Sequence, residues 1–447
     1  VKTALLALGF LGSSLLASAQ WVTQPINFVA PSYVVALHAA DANTLWVAAA
    51  ENGGATRTLA RSTDGGTSWT IRNPSVLNAT EEINALTAIS PTTAWIATRY
   101  GQAGGRILRT TDGGLTWQQQ TSSQQFGGPN SYPNFVHFFS ATEGVSMGNA
   151  PALTPGAAPE IYTTTDGGAT WTTVAAVPVT TSGSAVQNPP AVVGSHLWFS
   201  SFDGYVYHSP DRGRTWTASN SGAGTPLWNL TFRDAQHGLA SYQDPFSGGA
   251  TRLFRTTDGG STWTAVTGFS GPLHGAAMQA VPGTGQYLSV GGSLGSGLRG
   301  SSYSRDNGQT WVPLETQLNH LTLCVYSPTA AWSGALDLST GTPLGVHRLS
   351  TTVLGTAASA ARHAQLAYPN PSADGIFHLG TGPEAATATE LRVRDALGRE
   401  VHHQQLPLAE AAQAAGRSLN LSGYPAGLYT LELRSAAGVV QQKLVIQ

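Results

Sequence analysis

One octapeptide constrains this chain more than any other feature, because it occurs six times. Ser62-Thr63-Asp64-Gly65-Gly66-Thr67-Ser68-Trp69 returns around Asp112 and Trp117, Asp166 and Trp171, Asp211 and Trp216, Asp258 and Trp263, and Asp306 and Trp311. The aspartates step by 48, 54, 45, 47 and 48 residues. Self-similarity at such a period marks an array of equivalent supersecondary units. The chemistry of the octapeptide is local. A carboxylate ahead of glycines accepts N–H bonds within its own turn. Glycine supplies the φ > 0 positions the turn needs, and the Trp packs its apolar face beneath it. Six equivalent copies point to a structural hairpin staple, since a catalytic set does not come in sextuplicate. The fourth copy, Asp211-Arg212-Gly213, is slightly worn.

Each octapeptide follows a strand-like segment such as Arg106-Ile107-Leu108-Arg109 and leads into a Trp-led one. Upstream lies another pair, as in Ile83-Asn84-Ala85-Leu86 and Ala94-Trp95-Ile96-Ala97. Four strands per unit make one propeller blade. After the last octapeptide, Leu321 to Val325, Ala331 to Gly334 and Leu344 to Arg348 repeat three strands, and the fourth is missing. At the other end, Trp21-Val22-Thr23 resembles a fourth strand with nothing before it. The spacing therefore predicts an all-β, seven-bladed propeller over 20–350, closed by its N-terminal strand, which removes two exposed edges.

The octapeptide is identified as the Asp-box, or BNR repeat, found in sialidases, family 74 glycosidases, sortilin-type receptors and photosystem II assembly factors. The resemblance implies a β-propeller. The single propeller and the Ala-Trp strands, Ala94-Trp95 and Ala331-Trp332, bring the layout nearest to the assembly factors.

The two ends carry addresses. Lys2, an apolar run from Ala4 to Leu16 and Ala17-Ser18-Ala19-Gln20 predict a signal peptide over 1–19. Small residues over 351–365 read as a linker. Beyond them, Tyr368-Pro369-Asn370-Pro371, the turn from Asp395 to Gly398, Gly427-Leu428-Tyr429 and a basic-apolar end alternate as short strands of a small β-sandwich. Residues 366–447 resemble the type A C-terminal sorting domain of the type IX secretion system of Bacteroidota. That resemblance implies the type IX machinery as a partner, and passage through the periplasm and outer membrane to the cell surface or beyond.

Composition narrows the function. Charged residues are 10% of the chain and the net charge is −2, so a broad electrostatic grip on nucleic acid is not expected. The single cysteine, Cys324, excludes an intrachain disulfide and any multi-cysteine metal site. There is no H-E-x-x-H pattern, so neither a metal nor a cofactor is expected. No apolar run after the N-terminal one is long enough for a membrane helix.

In a propeller, loops entering the first strand of a blade share a face with loops joining strands two and three. The Asp-boxes fall on the other face. The first set contributes Asn84, Asn134, Asn229, His274 and His320. The second contributes Glu51, Arg99, Asn149, Asp203, Asp244 and Asp337. This rim is the expected ligand surface, although the same residues could simply line the axial channel. A glycosidase needs two carboxylates about 5–10 Å apart, and Glu51, Asp203, Asp244 and Asp337 are the available ones. Nothing in their spacing forces a pair. Arg61, Arg109 and Arg255 precede Asp-boxes and are expected to flank hairpins rather than form the arginine triad of a sialidase. A non-catalytic binding module for an extracellular protein or glycan is the expected function; a secreted glycoside hydrolase is the alternative.

Overall fold

Trp46, Trp95, Trp198 and Trp332 occupy the same register position on the second strands of four sheets, and all four are fully buried. Around them the strands Leu45–Glu51, Ala94–Arg99 and His196–Ser200 are buried almost throughout. A strand covered on both faces reads as a continuous apolar run, and here the faces are covered by neighbouring sheets.

The computed structural model describes residues 21–28, 32–51, 54–101, 104–122, 124–128, 130–150, 156–182, 184–186, 188–242, 251–292, 299–337, 342–350, 367–379, 389–395, 399–406, 418–435 and 438–447. The expected signal peptide, the linker, Asp244 and residues 396–398 of the sorting-domain turn lie outside them. So do residues 151–155 and the side chain of Asp337.

The chain forms two compact units, Val1–Gly355 and Thr356–Gln447. The first contains seven four-stranded antiparallel sheets. Six of them take their strands in simple sequence order and span residues 32–71, 82–119, 133–173, 191–220, 229–265 and 277–315; we number them blades 1 to 6. Blade 7 consists of His320–Ser327, Ala330–Asp337 and Thr342–Leu349 with Trp21–Gln24 as its outer strand. Trp21 pairs with Leu349 and Gln24 with Val346. The first strand of blade 1, Ser32–Ala39, packs beside His320–Ser327 of blade 7, which closes the circle. Seven apolar clusters alternate with the seven blades. One joins Val34, Leu45 and Val47 of blade 1 to Ala330, Trp332 and Val346 of blade 7. The expected seven-bladed ring closed by an N-terminal strand is the observed one.

The second unit packs two sheets face to face. One comprises Ala367–Tyr368, Ile376–Leu379 and Ser418–Asn420; the other comprises Glu400–Gln405, Glu390–Arg394, Gly427–Ser435 and Gly438–Ile446. Its own core includes Phe377, Leu391, Val393, Leu419, Leu431 and Leu444. Among the described residues of both units, no helix is long and apolar enough to cross a membrane.

Candidate ligand rim and the Asp-box face

The six Asp-boxes share one hydrogen-bond pattern. In blade 2, Thr110 Oγ1 donates to Asp112 Oδ1 at 2.8 Å and accepts Gly114 N–H at 2.9 Å. The Thr116 hydroxyl donates to Asp112 Oδ2 at 2.6 Å. These bonds, led by those from Thr116, hold the Asp112 carboxyl down at about 2. The first glycine of each regular box sits at positive φ, 73° at Gly65 and 76° at Gly113. In the fourth and sixth boxes Arg212 and Asn307 take the same left-handed conformation, at 61° and 57°. The turn geometry outlasts its glycine there because the carboxylate bonds persist, with Asp211 Oδ1 accepting Thr215 N–H at 2.8 Å.

The boxes also join the blades. Trp95 Nε1–H donates to Gly167 O at 3.1 Å, Trp198 Nε1–H to Gly259 O at 2.8 Å, and Trp332 Nε1–H to Gly65 O at 3.0 Å. The buried indole of one blade thus meets the first glycine carbonyl of the next box, and the Trp332 bond crosses the closing seam. Arg61, Arg109 and Arg348 place their guanidinium groups over Trp46, Trp95 and Trp332 at 5.6, 5.1 and 5.8 Å. Arg61 and Arg109, each ahead of a box, therefore flank their hairpins on separate blades.

On the opposite face, several polar side chains at the starts of first strands turn inward. Asn134 is 2% exposed, and its Nδ2–H donates to Asn149 Oδ1 at 2.7 Å; the same oxygen accepts Ala185 N–H at 3.2 Å. Asn84 Nδ2–H donates to Pro133 O at 2.8 Å. Asn229 Nδ2–H bridges to Ser241 Oγ at 3.2 Å and Gly275 O at 3.1 Å. His274 is buried, and Ser289 Oγ accepts its backbone N–H at 3.2 Å. Each contact links a blade to itself or to its neighbour, and backbone groups that would otherwise be orphaned gain partners.

Of the carboxylates picked from the sequence on that face, Glu51 and Asp203 have described side chains, and each is engaged separately; Glu160, on the same rim, accepts Ser131 Oγ–H at 2.7 Å and is pushed up by burial. Glu51 accepts the Thr58 hydroxyl. Asp203 accepts Thr181 Oγ1–H at 2.6 Å, Ser182 N–H at 2.9 Å and the Ser201 hydroxyl. Burial pushes the Asp203 carboxyl up, but those donors outweigh it and leave it below its ordinary value. Two neighbours not singled out from the sequence are paired with arginines. Glu81 is fully buried against Arg106 at 2.7 Å and accepts Thr98 Oγ1–H at 2.5 Å. Glu82 pairs with Arg99 at 2.7 Å, and that guanidinium lies 5.8 Å from the Tyr132 ring centroid.

His320 belongs to a buried cluster at the seam. Its Nδ1 lies 2.5 Å from Ser333 Oγ and its Nε2 3.0 Å from Glu315 Oε1. The Trp21 ring stands 4.9 Å away and the His347 ring 5.0 Å away. Thr23 Oγ1 and His347 Nδ1 are 3.0 Å apart, and Trp21 Nε1–H donates to Ser301 Oγ at 2.8 Å. The order Ser–His–Glu resembles a hydrolytic relay, but Ser333 has no exposed surface and its hydroxyl cannot reach an external substrate. The cluster instead binds blades 6 and 7 to the N-terminal strand. Cys324 lies on the first strand of the same blade, with its thiol pushed up to about 11 by burial, which leaves it protonated and unreactive. Among the described residues no three His, Cys, Asp or Glu side chains gather to hold a metal ion.

Comparison with known proteins accords with this architecture. A YCF48 structure bound to a D1 peptide is 18% identical, with a TM-score of 0.53, and covers 74% of this chain and 97% of its own. YCF48 from Cyanidioschyzon merolae is 16% identical at 0.54, covering 74% and 98%. U3-55K is 9% identical at 0.52, covering 75% and 99%. At these identities the likeness is one of fold. Curated proteins yield no match. Residues 366–447 match the secretion system C-terminal sorting domain, so the protein is exported through the periplasm and is secreted or held at the cell surface. Residues 14–238 match the family described as photosynthesis system II assembly factor YCF48. That match spans half of the 447 residues, and the chain belongs to the YCF48 family of Asp-box propellers, joined here to a secretion sorting domain.

Proposed function

We propose that the protein is an exported, non-catalytic binding module whose rim, on the face opposite the Asp-boxes, takes an extracellular protein or glycan. The carrying observation is how Glu51, Asp203, Glu81 and Glu82 are used, and that Glu160, the rim carboxyl pushed up by burial, is taken up by Ser131. Glu51 serves as an acceptor within its own blade, Asp203 accepts from its own turn and from the segment leading into blade 4, and Glu81 and Glu82 are closed off by arginines. A glycosidase needs one carboxyl held protonated and a second facing it across the scissile bond; Asp203 is held in the opposite sense, below its ordinary value. The inward-turned Asn134, Asn149, Asn229 and His274 would keep the loops above them in place, which suits a rigid binding scaffold. The YCF48 structure solved with a D1 peptide shows that a propeller of this family holds a peptide. Export argues for a different, extracellular partner here.

The test is the full chain on a glycan array and in cross-linking capture at the cell surface, run beside a product assay on sialosides and β-glucans. Retention with no product is the expected result. Turnover that disappears in Glu51→Gln or Asp203→Asn would overturn the proposal in favour of a hydrolase.

A further inference from the structure

The inference rests on the binding reading above and names a place and a ligand class for it. Phe202 sits in the turn between His196–Ser200 and Tyr205–Ser209 of blade 4. Trp228 immediately precedes Asn229–Phe232, the first strand of blade 5. Both turns belong to the rim opposite the Asp-boxes. The two rings stand 5.8 Å apart at 88°, so they form an open corner rather than a stacked pair. Phe202 is 41% exposed, one of the few large apolar side chains left so on the described surface.

The corner is held from beneath. Asp203 ties the Phe202 turn to Thr181 and Ser182, and Phe202 N–H donates to Ser184 O at 3.1 Å. Asn188 donates to Trp228 O. The residue before Trp228, Leu227, is 1% exposed in the core, and its carbonyl accepts Ser200 Oγ–H at 2.8 Å. Gly204, at φ +80°, lets the Thr225 backbone approach so closely that an added Cβ would stand 2.9 Å from Thr225 O. Two aromatic rings are thus presented by loops whose geometry is fixed before any ligand arrives, which lowers the ordering cost of binding.

The surroundings select the ligand. Thr181 and Asn188 are exposed hydroxyl and amide groups, and Thr225 is half-exposed. The Asp203 charge is met by three donors. Arg252, which reaches the same loop, is held by Thr225 Oγ1 at 2.8 Å, Ala223 O at 3.3 Å and the Tyr242 ring at 4.8 Å. The apolar area of two partly exposed rings is on the order of 200 Å² or less. A stable protein interface takes about 800 Å² from each side. A pyranose ring matches the smaller figure: its C–H face lies on one aromatic ring, its edge meets the other, and its hydroxyls reach the threonine and asparagine side chains. We propose that the Phe202–Trp228 corner is a carbohydrate subsite that holds one or two sugar units of a neutral polysaccharide.

Affinity electrophoresis of the full chain in gels containing laminarin, xyloglucan, amylose or hyaluronate tests this. At least one of the three neutral polymers should retard the wild-type protein. Phe202→Ala and Trp228→Ala should each weaken that retardation at least tenfold, while Trp228→Phe, which keeps an aromatic face, should retain most of it. Phe202→Ala removes an exposed ring, so an unchanged melting temperature separates lost binding from lost folding. Retardation unaffected by both alanine variants would overturn the subsite. So would retardation by hyaluronate alone, or by no polymer. If no polymer binds but cross-linking captures a protein partner, the subsite falls and the binding module stands; if a polymer is cleaved, the module reading itself falls.

Discussion

At the scale of single residues, the Asp-box tryptophans look interchangeable in sequence and are not. Trp216 and Trp311 donate their indole N–H to Gly213 O at 2.8 Å and Gly308 O at 3.1 Å. Trp117 is similarly buried, at 8%, but its Nε1 has no partner. Trp311→Phe should therefore cost about 1–3 kcal/mol more than Trp117→Phe, because only the first leaves a buried carbonyl unpaired. Chemical denaturation of the two variants checks the difference. Trp311→Ala should cost about 3–5 kcal/mol through the cavity it leaves. Asp112→Ala should lower the melting temperature without touching ligand binding, since its carboxylate serves only its own turn. The repeated use of Asp, Gly and Trp was legible in the sequence because each box is self-contained within eight residues. The inward turn of Asn134 and His320 was not, because their partners, Asn149, Ser333 and Glu315, come from elsewhere in the chain and carry no local signature.

At the scale of strands, the blade boundaries could be read from the boxes and the Ala-Trp pairs, and the closing strand from the likeness of Trp21-Val22-Thr23 to the segment after each box. Blade 4 was harder to read. Its first strand, Ala191–Val193, is three residues long and partly exposed, so it has no alternation to detect. The histidines of the first strands and the seam give a pH prediction. Burial lowers His38 to about 4, His137 to about 3 and His347 to about 4. Each is a base whose folded value lies below the unfolded value near 6.5, so the unfolded chain takes up the proton first as pH falls. Stability from neutral burial is complete above pH 6.5 and declines as pH drops toward 4, by at most about 3 kcal/mol for His347 alone. Denaturant midpoints measured from pH 7.5 to 4 should fall over that window. His347→Asn, which cannot be protonated, should flatten the decline.

At the scale of the whole molecule, the propeller and the sorting domain are each built around their own cores, and among the described residues the sorting-domain core draws on residues between 367 and 446. Removing 366–447 should trap the chain inside a type IX-competent cell and leave the propeller melting temperature nearly unchanged; normal surface delivery of the truncated chain would sink the sorting assignment. The pairing of Trp21–Gln24 with Thr342–Leu349 carries a mechanical consequence for a ring loaded through its C-terminal strand. Tension transmitted along the chain arrives at the ring on strand Thr342–Leu349. That strand would be a free margin of blade 7 if the sheet ended there. Instead it lies between Ala330–Asp337 and the N-terminal strand and is gripped along both sides. Tugging from the C-terminal end must shear two hydrogen-bonded ladders together, whereas tugging from the N-terminal end strips one short ladder of four residue pairs. In single-molecule pulling with the second attachment fixed at one site in blade 4, the propeller should yield at lower force from its N-terminal handle than from its C-terminal one.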